Sequence, residues 1–385
     1  MKSFSKRIEK LEHSASMAMA EKALQGSAKQ KIIDLTWGQP NFDTPAHIKQ
    51  AAYDAIRSGK NGYTSSLGIY ELREAISEFH SHKYRTFYDP SSEVLVTPGA
   101  KQGLMYLMQL LVDPGDEVIL FEPCWLSYQD MIFLNQGIPK FIPSNGDLSP
   151  DINALENAIS PRTKVILINN PVNPSGYVFS GEELSSIAGI AKKYNLYVIA
   201  DEIYDRITFA EFVSLSEFEN IRERLIIANG FSKAYAMTGW RIGYLLGPAR
   251  IISKVNLIHQ HTATCASAPS QYAAIAALSG DQGVVDDMAI TYKKRRDVFA
   301  DALKQSTFKL IKPQGTFYSM LEIPETLPKY ASKSDFLLSE YGIASVDGIS
   351  YGESAKNFVR LSLTKDTDIL IQATQRLIGG INCEH

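Results

Sequence analysis

Short runs of apolar residues alternate with amphipathic stretches along this chain from about residue 45 onward. Each run is apolar at successive positions rather than at every second one, which is typical of strands buried on both faces. The runs predict strands at 93–98, 117–121, 165–169, 196–200, 224–228 and 241–246. The amphipathic stretches predict helices at 45–58, 70–82, 101–112 and 182–193. Buried strands separated by helices indicate an α/β fold with a mostly parallel central sheet.

The pattern changes after about residue 249, where the stretches at 251–279 and 284–304 predict long helices. A short α/β segment follows, with strands at 316–323 and 359–363 and a closing helix at 366–378. A chain of 385 residues is long enough for two packed units. We therefore expect a large domain over residues 46–285 and a smaller α/β domain built from residues 1–45 and 286–385.

The charge balance argues against binding to nucleic acid or to a membrane surface. The chain has 39 Lys and Arg against 42 Asp and Glu, for a net charge of −3, so it lacks a basic footprint. Residues 1–24 mix charged with apolar side chains and lack the apolar core of a signal peptide. No run approaches the roughly 20 apolar residues of a membrane helix. We expect a cytoplasmic protein.

Cysteine and histidine spacing predicts no metal site. The three cysteines are far apart and odd in number, so they indicate neither a disulfide framework nor a zinc knuckle. Two histidine pairs, His80 with His82 and His259 with His261, are separated by two residues. Residues at that spacing do not share a face of a helix, so these histidines are interpreted as surface or packing residues.

The strongest chemical signal is Lys233, which follows the predicted strand at 224–228. Ligands of parallel sheets bind beyond the carboxyl ends of the strands. A desolvated lysine beside a second cation, here Arg241, has a lowered pKa and becomes an amine nucleophile; the alternative is a solvated surface lysine. Arg241 suits a phosphate or a carboxylate, or equally a structural ion pair.

Other polar residues also follow predicted strands. Asp201 ends the strand at 196–200 and is suited to a protonated pyridine nitrogen, or alternatively to capping a helix. Tyr204 is suited to donating to a phenolate oxygen. The turn at 170–176 contains two X-Pro bonds and a glycine, which make it rigid and direct Asn173 towards a ligand.

Two further segments are suggestive without being specific. Small residues at 98–100, followed by Lys101, link a strand to a helix, so that backbone N–H groups and the helix end can reach an anion. A plain strand-to-helix turn has the same sequence. Trp125 lies beyond another predicted strand and can stack on a flat aromatic ring, although a core tryptophan is the alternative.

Taken together, these segments resemble the class I aminotransferases, the pyridoxal-phosphate family with the aspartate aminotransferase fold, fold type I. The segments that carry the resemblance are LTWGQPNFDTP at 35–45, GYTSSLGIYELR at 62–73, NPVNPSG at 170–176, DEIY at 201–204, SKAYAMTGWR at 232–241, QGTFY at 314–318 and VRLS at 359–362. These segments are spread over almost the whole chain, and they follow one another in the same order as in the family. Two departures stand out: Gly230 lies where many members carry a serine, and Asp347 replaces a common proline.

The resemblance implies a pyridoxal 5′-phosphate site. Lys233 is expected to hold the cofactor as an aldimine and to move the proton between substrate Cα and cofactor. Asp201 is expected to keep the pyridine nitrogen protonated. The remaining expected cofactor contacts are Asn173 and Tyr204 at the ring hydroxyl and Trp125 on the ring face. At the phosphate they are the backbone N–H groups of Ala100 and Lys101, with Ser232 and Arg241. The family also implies a homodimer with shared active sites, in which Tyr63 reaches the phosphate of the other subunit, and cis peptide bonds before Pro123 and Pro174.

For the substrate, the resemblance implies that Arg360 binds the α-carboxylate, with help from Asn173 and the backbone at Gly38. Trp125 also borders the substrate. In the aspartate-specific branch a lysine and a threonine contact the acidic side chain, and Lys101 and Ser16 match these positions. The expected reaction is a ping-pong transamination between an L-amino acid, preferably aspartate, and a 2-oxo acid, preferably 2-oxoglutarate.

Several alternatives stay open at this point. The amino acid can be aromatic, alanine or a specialised compound. A lyase, oxidase or cyclase acting on an amino acid uses the same core residues. A non-catalytic regulator is a further alternative, although an intact Lys233 argues against it.

Overall fold

The computed structural model describes residues 4–5, 7–9, 11, 19, 21–22, 32–304, 306–324 and 330–379. Its strands are β1 (Ile33–Asp34), β2 (Val94–Thr97), β3 (Glu117–Phe121), β4 (Ile138–Ile142), β5 (Thr163–Asn169), β6 (Tyr197–Asp201), β7 (Leu225–Gly230), β8 (Gly243–Leu246), β9 (Lys309–Ile311), β10 (Tyr318–Glu322), β11 (Ile343–Ala344), β12 (Val346–Asp347) and β13 (Phe358–Ser362). Its α-helices are α1 (Ala46–Arg57), α2 (Tyr70–Tyr84), α3 (Ala100–Leu111), α4 (Ser127–Leu134), α5 (Leu155–Ala158), α6 (Gly181–Lys193), α7 (Ala249–Thr262), α8 (Ala268–Ser279), α9 (Gly283–Leu303), α10 (Lys333–Tyr341) and α11 (Thr367–Gly379).

A seven-stranded sheet with the order β2-β8-β7-β6-β5-β3-β4 forms the centre of the molecule. Strands β7, β6, β5, β3 and β4 pair in parallel. Strand β8 is antiparallel to both of its neighbours, β2 and β7. The predicted α/β class and mostly parallel sheet are therefore confirmed.

Both faces of this sheet are buried, which explains why its strands are apolar at successive positions. Along β5, Ile166 and Ile168 pack into the hydrophobic core on one face. Val165 and Leu167, which alternate with them, pack into a separate core on the other face. Because successive side chains of a strand point to opposite faces, the two cores together demand an unbroken apolar run.

A second, antiparallel sheet has the order β12-β13-β10-β9. The short strands β1 and β11 pair in parallel beside it. Its core joins Ile33 and Leu35 to apolar residues from position 299 onward, including Phe299 and Val359. In the parts of the chain that are described, no helix has the length and apolar character needed to cross a membrane.

The predicted helix over residues 251–279 is wrong as a single element, because α7 ends at Thr262 and α8 begins at Ala268. Thr264 between them has a φ of 66°, which no helix accommodates. Pro269 lies in the first turn of α8, where a missing N–H and a fixed φ are tolerated.

Strand β4 was not predicted, since it is an edge strand with Pro139 and partly exposed side chains.

A close approach of backbone segments joins the sheet to the start of α3. A methyl group at Gly243 in β8 would lie 2.8 Å from the carbonyl carbon of Gly99 and clash with the backbone nitrogen of Ala100. Gly230 in β7 faces Gly243 in turn, and a methyl group there would lie 2.8 Å from the Gly243 Cα. The space between β7 and β8 therefore excludes a side chain at Gly230, which is a physical reason for the absent serine.

We predict that Gly243→Ala lowers the free energy of unfolding by about 1–3 kcal/mol, the usual cost of overpacking. The added methyl must push β8 away from the first residues of α3. The matched control is Gly189→Ala on the exposed face of α6, where a methyl group meets nothing within 4 Å; there alanine is expected to stabilise by about 0.5–1 kcal/mol. Urea unfolding followed by circular dichroism measures both, and equal midpoints for the two variants would contradict the argument.

Candidate active site

A cavity of about 330 Å³ opens at the carboxyl edge of the seven-stranded sheet. Its position follows from the topology, because β5, β6 and β7 are neighbours that end together at this edge. The cavity brings together most of the residues singled out from the sequence, namely Gly38, Ala100, Lys101, Trp125, Asn173, Asp201, Tyr204, Ser232, Lys233, Arg241 and Arg360.

Two of the predicted residues are not part of this lining. Tyr63 is 90% exposed and does not border the cavity of its own chain. An exposed side chain at this point is compatible with a contact to a second subunit, which stays a prediction. Ser16 lies outside the described residues.

Lys233 lies in a series of turns after β7, and its neighbours in the sequence pack into the core. Phe231, Ala234 and Met237 are buried in the core, so the loop cannot move away from the sheet. The Lys233 amine donates a hydrogen bond of 2.6 Å to the Gly38 carbonyl. Burial, followed by the positive charge of Arg360, lowers the pKa of Lys233 to about 8. About a tenth of this amine is therefore neutral and nucleophilic at pH 7, far more than for an ordinary lysine.

Asp201 is the last residue of β6 and is only 3% exposed. Its carboxylate accepts a hydrogen bond of 2.7 Å from the Tyr128 hydroxyl and one of 3.3 Å from the Ile203 N–H. Burial raises the pKa of Asp201 to about 6, although both hydrogen bonds and the charge of Lys233 favour the ionised form. A cation placed beside this buried carboxylate gains an electrostatic partner in a site of low dielectric.

The turn that carries Asn173 is tied to the end of β6. The Asn169 side chain donates to the Asp201 carbonyl (2.8 Å) and accepts from the Asn173 N–H (2.7 Å). Cis peptide bonds precede Pro123 and Pro174, as expected, and a third precedes Pro171. Through Asn169, the backbone of Asn173 is tied to the last residue of β6.

Arg360 reaches the cavity from β13 of the second sheet and is 3% exposed. Its guanidinium donates to the Thr36 carbonyl (2.8 Å) and to the Asn173 side-chain oxygen (3.3 Å). The guanidinium carbon lies 4.3 Å from the ring centroid of Tyr318 and 5.2 Å from that of Tyr351. A planar cation with two aromatic rings beside it is well suited to paired hydrogen bonds with a carboxylate.

Cationic and backbone donors gather around the first turn of α3. Gly99, with a φ of 83°, precedes the helix, and a methyl group on it would lie 2.5 Å from the Arg241 guanidinium nitrogen. The positive φ favours glycine at this position, and the missing side chain leaves room for the guanidinium. Burial and the charge of Arg241 lower the pKa of Lys101. The backbone N–H groups of this first turn, together with Ser232 and Arg241, form a set of donors suited to a phosphate.

Sequence reasoning missed several residues of the cavity. Tyr128 lies in α4, a helix that the apolar pattern did not reveal, although it follows Trp125 by three residues. Tyr318 was quoted within a motif without a role; its hydroxyl accepts from the Tyr204 hydroxyl (3.4 Å). Glu202, by contrast, belongs to a motif but does not line the cavity, because its carboxylate binds Ser214.

Asp347, the other departure from the family pattern, also has a local structural reason. Its carboxylate accepts from the backbone N–H (3.0 Å) and the hydroxyl (2.6 Å) of Ser334 at the start of α10. Asp347 does not line the cavity. Its side chain therefore stabilises the beginning of a helix.

The residues present fit pyridoxal phosphate. The cavity offers a half-buried amine for the aldehyde, a buried carboxylate for the ring nitrogen, and a set of backbone and side-chain donors for the phosphate. Trp125 borders the same cavity, and the Lys101 amine lies 5.0 Å from the centroid of its ring. These are the chemical requirements of that cofactor in one cavity.

Comparisons with known proteins agree with this fit. Residues 30–377 match the family described as aminotransferase class I and II. The aspartate aminotransferase of Thermotoga maritima is 35% identical over 382 residues, 98% of this chain and 99% of that protein. The aspartate/prephenate aminotransferase of Thermus thermophilus is 34% identical and covers 98% of each chain. The solved structure of Thermus thermophilus aspartate aminotransferase with maleate has a TM-score of 0.92 at 34% identity, covering 98% of this chain and 99% of that one.

We predict that Tyr128→Phe weakens cofactor binding by roughly tenfold, the equivalent of one hydrogen bond worth about 1.4 kcal/mol. The Tyr128 hydroxyl stabilises the ionised form of Asp201. Its loss therefore raises the pKa of Asp201 further, and the carboxylate becomes a weaker partner for a protonated ring nitrogen. Titration of the apoprotein with pyridoxal phosphate, followed by absorbance, gives the dissociation constant.

The control for this substitution is Tyr177→Phe. The Tyr177 hydroxyl donates to Glu183 (2.7 Å), and Tyr177 does not border the cavity. Its loss should leave the dissociation constant unchanged. If Tyr128→Phe bound the cofactor as tightly as this control, the hydrogen bond to Asp201 would have no part in cofactor binding.

Proposed function

Because this chain belongs to the class I and II aminotransferases and is a pyridoxal-phosphate-dependent aminotransferase, we propose that it transfers an amino group between L-aspartate and 2-oxoglutarate. The two half-reactions follow one another in a single pocket, in a ping-pong sequence. The observation that carries the proposal is the arrangement of four basic side chains around one cavity, Lys101, Lys233, Arg241 and Arg360.

Lys233 is the proposed catalytic group. When bound, pyridoxal phosphate supplies an aldehyde that combines with amines and a ring that accepts the electron pair left at the substrate Cα. The Lys233 amine carries the cofactor between turnovers, and then takes the proton from the substrate Cα and returns it. Its lowered pKa of about 8 supports both tasks, because a base works best when its pKa is near the working pH.

The groups around Lys233 have the proposed role of orienting the cofactor. Asp201 keeps the ring nitrogen protonated, while Asn173 and Tyr204 bind the ring hydroxyl and Trp125 covers a ring face. The phosphate takes hydrogen bonds from the backbone N–H groups of Ala100 and Lys101 at the start of α3, and from Ser232 and Arg241. Burial raises the pKa of Tyr204 well above its usual value, so its hydroxyl stays protonated and is available as a donor.

Arg360 is the proposed binding group for the substrate α-carboxylate, assisted by Asn173 and the backbone at Gly38. Both an amino acid and a 2-oxo acid carry this carboxylate, so one arginine serves both half-reactions. Lys101, with Ser16, is the proposed contact for a second, side-chain carboxylate. The aspartate preference is supported by the names of the relatives from Thermotoga and Thermus.

We also propose a homodimer with shared active sites, in which Tyr63 reaches the phosphate bound to the other subunit. Its 90% exposure supports this role. Within one chain, we propose a large domain over residues 46–285 and a small domain from residues 1–45 and 286–385. The core of the second sheet supports this division, since its buried members come only from residues 33–35 and from residue 299 onward.

We predict that Lys233→Ala abolishes both transamination and covalent retention of the cofactor. Borohydride reduction of the native enzyme, followed by peptide mapping, should label the peptide that contains Lys233. In apoprotein mixed with the cofactor, the rate of attachment should rise as the pH increases towards about 8, because the neutral amine is the reacting form. Lys192→Ala on the exposed face of α6 serves as the control.

Labelling of a different lysine in an active enzyme would contradict the assignment of Lys233. The same protein, incubated with a panel of amino acids, also tests the reaction type. Keto-acid formation that requires an added 2-oxo acid supports transamination, whereas formation without any acceptor indicates a lyase or an oxidase.

We predict that Lys101→Gln lowers kcat/KM for aspartate by roughly ten- to a hundredfold, since one charge-assisted hydrogen bond is worth about 1.5–3 kcal/mol. The backbone of residue 101 is unchanged, so the cofactor phosphate keeps its backbone donor. Activity with alanine should change little. Steady-state kinetics on both substrates, with Lys192→Gln as control, measure the ratio, and an equal loss for aspartate and alanine would argue against a side-chain contact.

A further inference from the structure

A buried carboxylate outside the cavity binds the chain segment that precedes β13. Glu122, the residue after β3, is 8% exposed and faces the segment at 348–355 that leads into β13. Its oxygens accept three hydrogen bonds from that segment: from the Glu353 N–H (3.2 Å), the Ser354 N–H (2.9 Å) and the Ser354 hydroxyl (2.7 Å). Two chain segments more than 200 residues apart are joined at this carboxylate.

Gly352 shows how closely the two segments fit. Its φ is 131°, a backbone conformation that residues other than glycine rarely adopt. A methyl group there would lie 2.6 Å from the carboxyl carbon of Glu122. The backbone at 352–354 therefore forms a seat for this one carboxylate, with donors on one side and a glycine on the other.

Tyr351, the neighbour of that glycine, links the seat to the cavity. Its carbonyl accepts a hydrogen bond of 2.9 Å from the Cys124 N–H, so the residues on either side of Pro123 hold the segment at two points. The Tyr351 ring is 1% exposed, and its centroid lies 5.2 Å from the Arg360 guanidinium carbon. The guanidinium thus has Tyr351 and Tyr318 as aromatic neighbours.

The orientation of the guanidinium decides how well it binds a carboxylate. Two parallel N–H···O bonds form only when the plane of the arginine matches that of its ligand. A ring that shifts by a fraction of an ångström lets the plane tilt, and the paired bonds weaken. Any group that holds the Tyr351 ring in position therefore affects the binding of the ligand.

We propose that Glu122 is a positioning residue for the substrate α-carboxylate: through the seat at 352–354 it holds Tyr351 against the guanidinium of Arg360. The inference rests on the proposed role of Arg360 as the α-carboxylate group. Glu122 does not line the cavity and touches neither the cofactor site nor Lys233. It acts on binding and not on the proton transfer.

The kinetic signature of this role is specific. The α-carboxylate is common to the amino donor and the oxo acceptor, so the KM values of both should rise by the same factor. The kcat at saturation and the affinity for pyridoxal phosphate should stay near the native values. A residue that only stabilises the fold would change the unfolding temperature and leave both KM values alone.

The principal test is Glu122→Gln. Both carboxylate oxygens accept from N–H donors, so the amide nitrogen of glutamine must face one of these donors and at least one bond is lost. We expect both KM values to rise by roughly five- to tenfold, the equivalent of about 1–1.4 kcal/mol, with kcat within about twofold. The control is Glu353→Gln on the same segment, whose exposed carboxylate pairs only with Lys356 among the described residues and should leave KM unchanged.

Ser354→Ala provides a milder variant that removes one hydroxyl donor and keeps the backbone donors. It should raise both KM values in the same direction by a smaller factor, and it decides the question if Glu122→Gln does not fold. Circular dichroism and cofactor content establish that each variant is folded. Unchanged KM values in a folded, cofactor-loaded variant would overturn the proposal, even if its unfolding temperature fell.

Arg360→Lys, measured in parallel, separates this inference from the proposed function. If Arg360→Lys leaves both KM values unchanged, the assignment of Arg360 is wrong and the inference falls with it. If Arg360→Lys raises them and Glu122→Gln does not, only the role of Glu122 is wrong. If Glu122 acts through Arg360, the double variant should show less than the sum of the two effects, expressed as free energies; full additivity would overturn the proposal.

Discussion

The electrostatic balance around the Lys233 amine is the constraint on which the site depends. The amine loses water because it lies at the carboxyl edge of a sheet that is buried on both faces. Arg360 and Arg241 disfavour its charged form, and Asp201 favours it. The result is a pKa of about 8, low enough for a nucleophile and high enough for a base. Removal of any one of these three partners disturbs the balance.

The topology supplies these partners from separate parts of the chain. Strands β5, β6 and β7 are adjacent and parallel, so Asn169, Asp201 and the Lys233 loop emerge side by side. The antiparallel strand β8 then packs against the beginning of α3 with glycines at the contact, which brings the backbone donors of α3 to the same edge. Arg360 comes from a different sheet and lines the same cavity. The cavity wall thus carries charged groups from both sheets.

Most of the central sheet was predictable because continuous apolar runs have only one simple explanation, burial on both faces. The prediction of secondary structure failed where the apolar pattern of a segment does not match its conformation. The stretch at 251–279 is apolar enough for one helix, yet Thr264 with its positive φ divides it into two. Strand β4 was not predicted because an edge strand tolerates proline and lysine, which interrupt the apolar pattern. Tyr128 was not predicted as a site residue because it lies on helix α4, which the apolar pattern did not reveal. Its role is visible only from its hydrogen bond to Asp201.

The fold class, the family and the identity of most polar residues around the cavity can be read from the amino-acid sequence, since each of these follows from local patterns or from motifs in a single order. Which of these residues share electrostatic surroundings is visible only in the folded molecule. The pKa of Lys233, the hydrogen bond from Tyr128 to Asp201 and the seat of Glu122 on residues 352–354 all join segments distant in the chain. Desolvation and hydrogen bonding depend on distances in space, and no spacing along the chain specifies them.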